Sequence, residues 1–339
     1  MTQPATGQGT PPVLSIPGLA PELRERVLEG MARVEALLSA RVAADDPFVA
    51  EASGHLLAAG GKRFRPLLTL LVAELGAGAT DEVVAAAAGV ELTHLASLYH
   101  DDVMDEADVR RGAPSANARY GNSTAILVGD LLFGTASDIV ADLGPQAVKI
   151  QARTFVRLCS GQIRDERPCP DGTDPVEYHL GVLADKTGVL IATAARYGAM
   201  FAGCPQDVVA MATEYGERLG MAFQLADDLI DIGSEGEESG KTPGTDLREG
   251  KRTLPVLHAL ASTDRADDRL KELLTGDLDD DARLAEALTL LRGHRAMDEA
   301  REQTRAVARR AVEVLEPLPA SEAKDALVAL ASGVVERVG

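Results

Sequence analysis

The chain has 339 residues, 45% hydrophobic and 26% charged, and its 53 acids against 34 bases leave a formal net charge of -19. That apolar content excludes general disorder, and the length suffices for a large core. The acid surplus argues against a basic stripe that could displace counterions from nucleic acid, and 3% aromatics with no Trp leave little for base stacking.

Residues 1–17, beginning MTQPATGQGTPP, lack a basic n-region and an apolar h-region and read as a disordered Pro/Gly/Thr leader. Leu23, Val27, Met31, Val34, Leu38 and Val42 then recur in steps of three and four, which predicts a helix with one apolar face. The same reading predicts helices over 66–75, 81–104, 124–143, 146–163, 176–202 and 206–232, then 254–261, 282–291, 297–315 and 321–338. VVAAAAGVELTHLASLYH is apolar nearly all round, so its helix belongs at the centre of a bundle. Alternating β-branched runs are scarce, and no sheet is expected. Gly60-Gly61, 111–114, 168–174 and 233–250 are breaks, and the acidic segment 263–281 reads as a solvated loop. No apolar run reaches the ~20 residues of a membrane span. Cys159, Cys169 and Cys204 are widely spaced and odd in number, which suits a reduced, cytoplasmic setting.

One local pattern occurs twice. Asp101, Asp102 and Asp105 form DDxxD, as do Asp227, Asp228 and Asp231. On a helix such positions lie at about 0°, 100° and 40°, so three carboxylates are expected on one face. Most acid clusters in so acidic a chain are solvated surface, and Asp45-Asp46, Asp267-Asp268 and Asp279 to Asp281 read that way. The two DDxxD clusters instead end apolar helices, where mutual repulsion calls for cations. Oxygen donors without Cys or clustered His favour Mg²⁺, which usually binds substrate phosphates as well. Bases gather nearby: Lys62, Arg63 and Arg65 after Gly60-Gly61, then Arg110-Arg111, Lys186, Lys241 and Lys251-Arg252. Together they describe a site for two polyanions, one held through metal and one through Lys and Arg.

In this order GGKRFRP, HLASLYHDDVMDEADVRRG, Lys186-Thr187, FQLADDLID and GTDLREGK resemble the trans-polyprenyl diphosphate synthase family, over about residues 54–257. The resemblance implies an all-α, single-domain antiparallel helical bundle of the isoprenoid synthase type around a central cavity, covering residues 18–339 and homodimeric. It implies condensation of isopentenyl diphosphate onto an allylic diphosphate with Mg²⁺, three ions with substrate bound. By the resemblance, Asp101, Asp105 and Asp227 hold the metal, and Asp102, Asp228 and Asp231 complete or support its shells. Arg110, Lys186, Lys241 and Lys251 then meet the allylic diphosphate. Lys62, Arg65, His94 and Arg111 hold isopentenyl diphosphate, and Thr187 and Gln224 line the reacting carbons. Gln162 matches a family position as cavity lining or a structural hydrogen bond, and His100 reads as a core histidine.

Ala96 and Ser97 lie about one turn before Asp101. In the family bulky residues there stop chain growth, so these small ones imply a product of C20 or longer, with Phe155 a candidate floor. The competing readings are a class I terpene cyclase and a non-catalytic partner subunit. Scarce aromatics and the basic GGKRFRP group oppose the first, and two intact DDxxD motifs oppose the second.

Overall fold

The stretch that is apolar nearly all round forms helix α4, Asp81–Met104, in a computed structural model that describes residues 16–234 and 243–336. Most of the expected leader, and Lys241, lie outside the described residues; Ile16, near its far end, and Leu19, just past it, are buried. The chain divides into two compact units. The first comprises the chain up to Phe155 with Leu190–Thr213 and Pro317–Ala329. The second comprises Val156–Val189, Glu214–Glu316 and the chain from Leu330 on.

In the first unit α4 is the centre, as its composition requires. Thr80 caps it, its side chain accepting from the Val83 backbone N–H at 3.2 Å, and Asp81 and Glu82 complement the N-terminal dipole. Val83, Ala86 to Ala88, Val90, Leu92, Leu95, Ala96 and Tyr99 are buried along it. α1 (Pro21–Arg41) packs Leu23, Val27, Val34 and Leu38 inward, the periodic face expected, and α3 (Phe64–Ala73) is buried from Pro66 to Ala73. α6 (Asn122–Asp142) lies along α4 as well, and α5 (Ala116–Tyr120) precedes it. The pattern does not flag α2 (Pro47–Ala58), which is started by Asp46, whose side chain accepts from the Phe48 and Val49 backbone N–H groups. It is tied to α4 by Tyr99, whose buried hydroxyl donates to the Ala52 carbonyl at 2.5 Å.

α7 (Pro145–Asp165) passes from the first unit into the second. There α8 (Pro175–Leu183) continues through a π-turn, Ala184–Gly188, into α9 (Val189–Phe201). α10 (Gln206–Gly233) carries the second DDxxD, and α11 (Thr245–Arg248) is a single turn. α12 (Leu254–Ala261) packs against α8, α13 (Asp268–Thr275), α14 (Asp281–Arg292) and α15 (Arg295–Val314), and α16 (Glu322–Glu336) ends the described chain.

Three expectations need correction. The acidic segment 263–281 contains α13, which buries Leu270 and Leu273 while its charges face water, an amphipathy the acid count concealed. The sheetless expectation fails at a two-stranded hairpin, β1 (Val109–Arg110) with β2 (Ala113–Pro114). Last, α6 is long and apolar enough to cross a membrane by length and composition, although one of its faces is buried against α4.

α9 meets α3 with no room between the backbones. A Cβ at Gly198 would lie 2.3 Å from the Thr69 carbonyl oxygen, and the Thr69 hydroxyl donates to the Ala194 carbonyl at 3.1 Å. Gly198→Ala is therefore expected to destabilise by about 1–3 kcal/mol despite the better helix propensity of alanine. Gly54→Ala in α2, where nothing lies within 4 Å, should instead stabilise by roughly 0.5–1 kcal/mol. Urea denaturation of both variants measures the contrast.

Candidate active site

The first DDxxD sits on the last turn of α4, and rotation along the helix separates its members. Asp102 has 0% exposure, whereas Asp101 is half-buried and Asp105 exposed. One Asp102 oxygen accepts from Arg110 Nε at 2.5 Å, and the other is buried with no hydrogen-bond partner. Arg110 also approaches Asp105, at 4.0 Å. It stands on β1, and the hairpin turns through Arg111 (φ 54°) and Gly112 (φ 75°), the two positive φ values that a type I′ turn demands.

That turn sends the Arg111 side chain back onto the glycine loop. Its Nη1 donates to the Leu56 carbonyl at 3.0 Å and to the Gly60 carbonyl. A Cβ at Gly61 (φ 136°) would fall 2.7 Å from the guanidinium carbon, which explains the second glycine. Arg63 follows with φ 47° at the N-cap of α3 and is buried; it reaches Glu35 at 2.6 Å, Glu91 at 3.4 Å and the Leu57 carbonyl at 3.0 Å. Arg65 is half-buried with its Nε unpartnered, and Lys62 is exposed. Burial, opposed by Glu91 and assisted by Arg111, brings the Arg65 guanidinium down to about 10. His94 is held well below the ordinary histidine range by burial and then by Arg65, Arg111, Arg110 and Arg63, so it is a neutral hydrogen-bonding group. Arg65, His94 and Arg111 thus form one electrostatically coupled group with Lys62 beside them in the chain. It is joined by Arg63, one of the bases expected there, and by Glu91, which the sequence reading does not place in the site. A single acid inside an apolar run, at position 91, was the available signal.

In the second unit α10 repeats the pattern. Asp228 is buried while Asp227 and Asp231 are half-exposed. Gln224 Nε2 donates to Asp228 at 2.9 Å, the Thr187 hydroxyl lies 3.5 Å from Gln224 Oε1, and an Asp231 oxygen accepts from the Asp246 backbone N–H at 3.2 Å. Thr187 and Lys186 stand on the π-turn, a widened turn often found at functional sites. A Cβ at Gly161 would come within 2.5 Å of the Lys186 backbone nitrogen, so α7 presses directly on that turn. Lys186 Nζ meets Asp165 at 2.7 Å, and Asp185 is clamped by Arg157 at 2.8 Å and Arg164 at 3.0 Å. Asp165 and His179, whose Nε2 is 3.9 Å from Asp228, are further site residues that sequence reasoning missed; SGQIRDE contained the first.

Other expected residues are placed as follows. Lys251 Nζ pairs with Glu249 at 2.6 Å and stands 3.7 Å from Asp246. Gln162 bonds Glu166 one turn on, at 3.1 Å, the structural hydrogen bond of its two expected readings. Ala96 is fully buried, and the Ser97 hydroxyl donates to the His94 carbonyl at 2.8 Å. The Phe155 and Phe133 rings meet at a tilt of 58° with centroids 4.5 Å apart, and Phe133 lies 5.6 Å from His100. His100 itself is tied to the Ile126 carbonyl of α6 at 3.2 Å.

The expectation of three carboxylates on one accessible face therefore needs correction: in each motif the middle aspartate turns into the core. Among the described residues no three His, Cys, Asp or Glu side chains converge as a metal-holding group. What each motif presents is a pair of reachable carboxylates one turn apart, Asp101 with Asp105 and Asp227 with Asp231. This hard oxygen set suits Mg²⁺, which takes one or two carboxylates and completes its shell with water and phosphate oxygens.

Asp228 and His179 give the metal-free second unit a testable pH signature. Burial pushes the Asp228 carboxyl up to about 7, assisted by Asp246, Asp227 and Asp165 against the Gln224 hydrogen bond. A raised folded-state value means its stabilising contribution is full below about pH 3.8 and lost as pH rises through about 7. Burial brings His179 down to about 4, so its contribution is full above pH 6.5 and lost as pH falls through about 4. The slopes oppose over nearly the same window. Asp228→Asn should make the EDTA-treated protein gain stability as pH rises from about 4 to 6.5, and His179→Asn should make it lose stability from about 4 to 7. Chemical denaturation across that range reads both slopes, and slopes of equal sign in the two variants would contradict the assignment.

The chain matches the polyprenyl synthetase family model over residues 46–291. It is 49% identical over 314 residues to nonaprenyl diphosphate synthase of Mycobacterium tuberculosis, covering 92% of this chain and 94% of that protein. Among solved structures, geranylgeranyl pyrophosphate synthase from Corynebacterium glutamicum, complexed with calcium and isoprenyl diphosphate, superposes with a TM-score of 0.85 at 43% identity. That match covers 94% of this chain and 98% of the other. A decaprenyl diphosphate synthase from Rhodobacter capsulatus superposes with a TM-score of 0.86 at 35% identity, covering 94% and 99% of the two chains. With its all-α fold, its two DDxxD helix ends and these relatives, the chain belongs to the polyprenyl synthetase family and is a prenyltransferase.

Proposed function

We propose that the chain condenses isopentenyl diphosphate head-to-tail onto an allylic diphosphate, giving an all-trans polyprenyl diphosphate of C20 or longer. The observation that carries the reading is the repeated DDxxD helix end, with a buried middle aspartate and reachable outer ones. Residues 18–339 act as one catalytic domain; family membership supports this. The relatives are synthases, and no observation favours a cyclase or a non-catalytic partner.

Asp101, Asp105 and Asp227 would hold Mg²⁺, three ions with substrate bound, and Asp231 would support them. Bound there, Mg²⁺ would supply the Lewis-acid charge that a diphosphate leaving group needs as the C–O bond breaks. The need is electrostatic, since two like unit charges ~4 Å apart repel by about 4 kcal/mol at an effective dielectric of 20. Asp102 does not bind substrate in this reading; it holds Arg110 toward the allylic diphosphate. Lys186, Lys251 and Lys241 contribute further positive charge there, and Thr187 and Gln224 present polar atoms to the reacting carbons. Lys62, Arg65, Arg111 and neutral His94 bind isopentenyl diphosphate, whose alkene attacks the allylic carbon; the departing pyrophosphate takes the proton. Buried Ala96 and the neighbouring apolar residues of α4 exclude water from the electrophile.

The α6 face bearing Ile126 (43% exposed), Leu127 (67%) and Leu131 (45%) is proposed to be covered by a second copy in a homodimer. Three free cysteines suit a cytoplasmic setting.

Asp101→Ala and Asp227→Ala are each expected to lower turnover about a thousandfold while leaving the fold intact by circular dichroism, because each side chain is only half-buried. Near-normal activity in either variant would reject its ligand role. Ala96→Phe combined with Ser97→Phe should shorten the main product, read by chromatography after elongation with labelled isopentenyl diphosphate; an unchanged length would refute the tunnel reading.

A further inference from the structure

Four guanidinium groups, Arg63, Arg65, Arg110 and Arg111, bear on His94 in the first unit. Arg110 has its own counterion in Asp102, at 2.5 Å. The other three share Glu91. This residue is 1% exposed on α4 and contacts Arg63 Nη1 at 3.4 Å; burial raises its carboxyl above the ordinary range, and the charges of Arg63, Arg65 and Arg111 pull it back toward the ionised form. Its second oxygen is buried with no hydrogen-bond partner, as is Arg65 Nε. A carboxylate so enclosed cannot reach a ligand, and leaving it in the core costs stability unless its charge is used.

Arg63 shows what that use is. Its guanidinium is already engaged by Glu35 at 2.6 Å, the Leu57 carbonyl at 3.0 Å and the Gly60 carbonyl at 3.2 Å. It is therefore a strut that joins α1, the end of α2 and the glycine loop to Glu91 on α4. Arg65 lies two residues on, and Arg111 rests on the same Gly60 carbonyl and on Gly61. Without the buried negative charge, three neighbouring cations would repel and the loop that sets their spacing would lose its tie to α4. We propose that Glu91 is a positioning residue for the isopentenyl diphosphate site: from behind, it holds Arg65 and Arg111 at the separation a diphosphate group requires. The inference rests on the proposed assignment of Lys62, Arg65, His94 and Arg111 to that substrate.

The test compares Glu91→Gln, Glu91→Asp and Arg65→Gln in steady-state assays with each substrate varied in turn. Glu91→Gln keeps the shape and removes the charge. It should raise KM for isopentenyl diphosphate tenfold or more, while KM for the allylic diphosphate and kcat stay within about twofold. Glu91→Asp, which keeps the charge one methylene further back, should give a smaller rise with the same selectivity. An unselective rise in both KM values, or none, in Glu91→Gln would overturn the positioning role. If that variant does not fold, Glu91→Asp decides by the same criterion. Arg65→Gln separates the two levels of the argument. If it leaves KM for isopentenyl diphosphate unchanged, the site assignment itself fails and the Glu91 role falls with it. If Arg65→Gln raises that KM and the Glu91 variants do not, only the Glu91 role fails.

Discussion

Asp102 has no access to water, and its charge is tolerated in the core because Arg110 stands 2.5 Å from it. Much of the first unit's site follows from that pair. It anchors the hairpin, the hairpin's turn aims Arg111 at Gly60-Gly61, and the glycine loop delivers Arg63 and Arg65 to the start of α3. The second unit meets the same constraint with a neutral partner: Asp228 is hydrogen-bonded by Gln224, and burial raises its carboxyl to about 7 when no metal is present. One motif therefore has two electrostatic settings, a buried ion pair and a buried acid that titrates near neutrality.

The legible parts of the sequence were those in which one physical requirement dominated. Periodicity placed α4 and α12 at their observed bounds, because uninterrupted apolar faces admit few alternatives. It did not flag α2, whose Asp46-Pro47 start is a capping signal rather than a periodic one, nor α13, where five polar or charged neighbours hide two buried leucines. Within the site, residues that touch charged ligands in the resemblance could be picked out by chemistry and spacing. Those acting through another residue could not. Glu91 and Asp165 belong to pairs, with Arg63 and with Lys186, that exist only after the chain has folded.

The acid surplus also has a more specific reading than solvation alone. Asp46, Asp174 and Asp280 cap the N-termini of α2, α8 and α14 through their side chains, and Asp267 accepts from Ser262 while lying 3.0 Å from His294. Several acids outside the motifs thus satisfy orphan backbone N–H groups, work that requires an acceptor but no basic partner. A large negative charge can accumulate in this way without a matching set of ion pairs.

Two of the arginines in the basic group, Arg63 and Arg111, have left-handed backbone conformations that glycine adopts at little cost and other residues adopt at a penalty of about 1–2 kcal/mol. Selection for heat resistance alone would thus reward glycine at position 111; at position 63 it would not, because glycine would leave Glu91 in the core without its ion pair. Glycine at position 111 would erase a guanidinium assigned to substrate, so the most accessible thermostabilising change in this region is one the enzyme cannot accept. Directed evolution toward a hardier variant would have to begin elsewhere, on surfaces that no substrate charge has shaped.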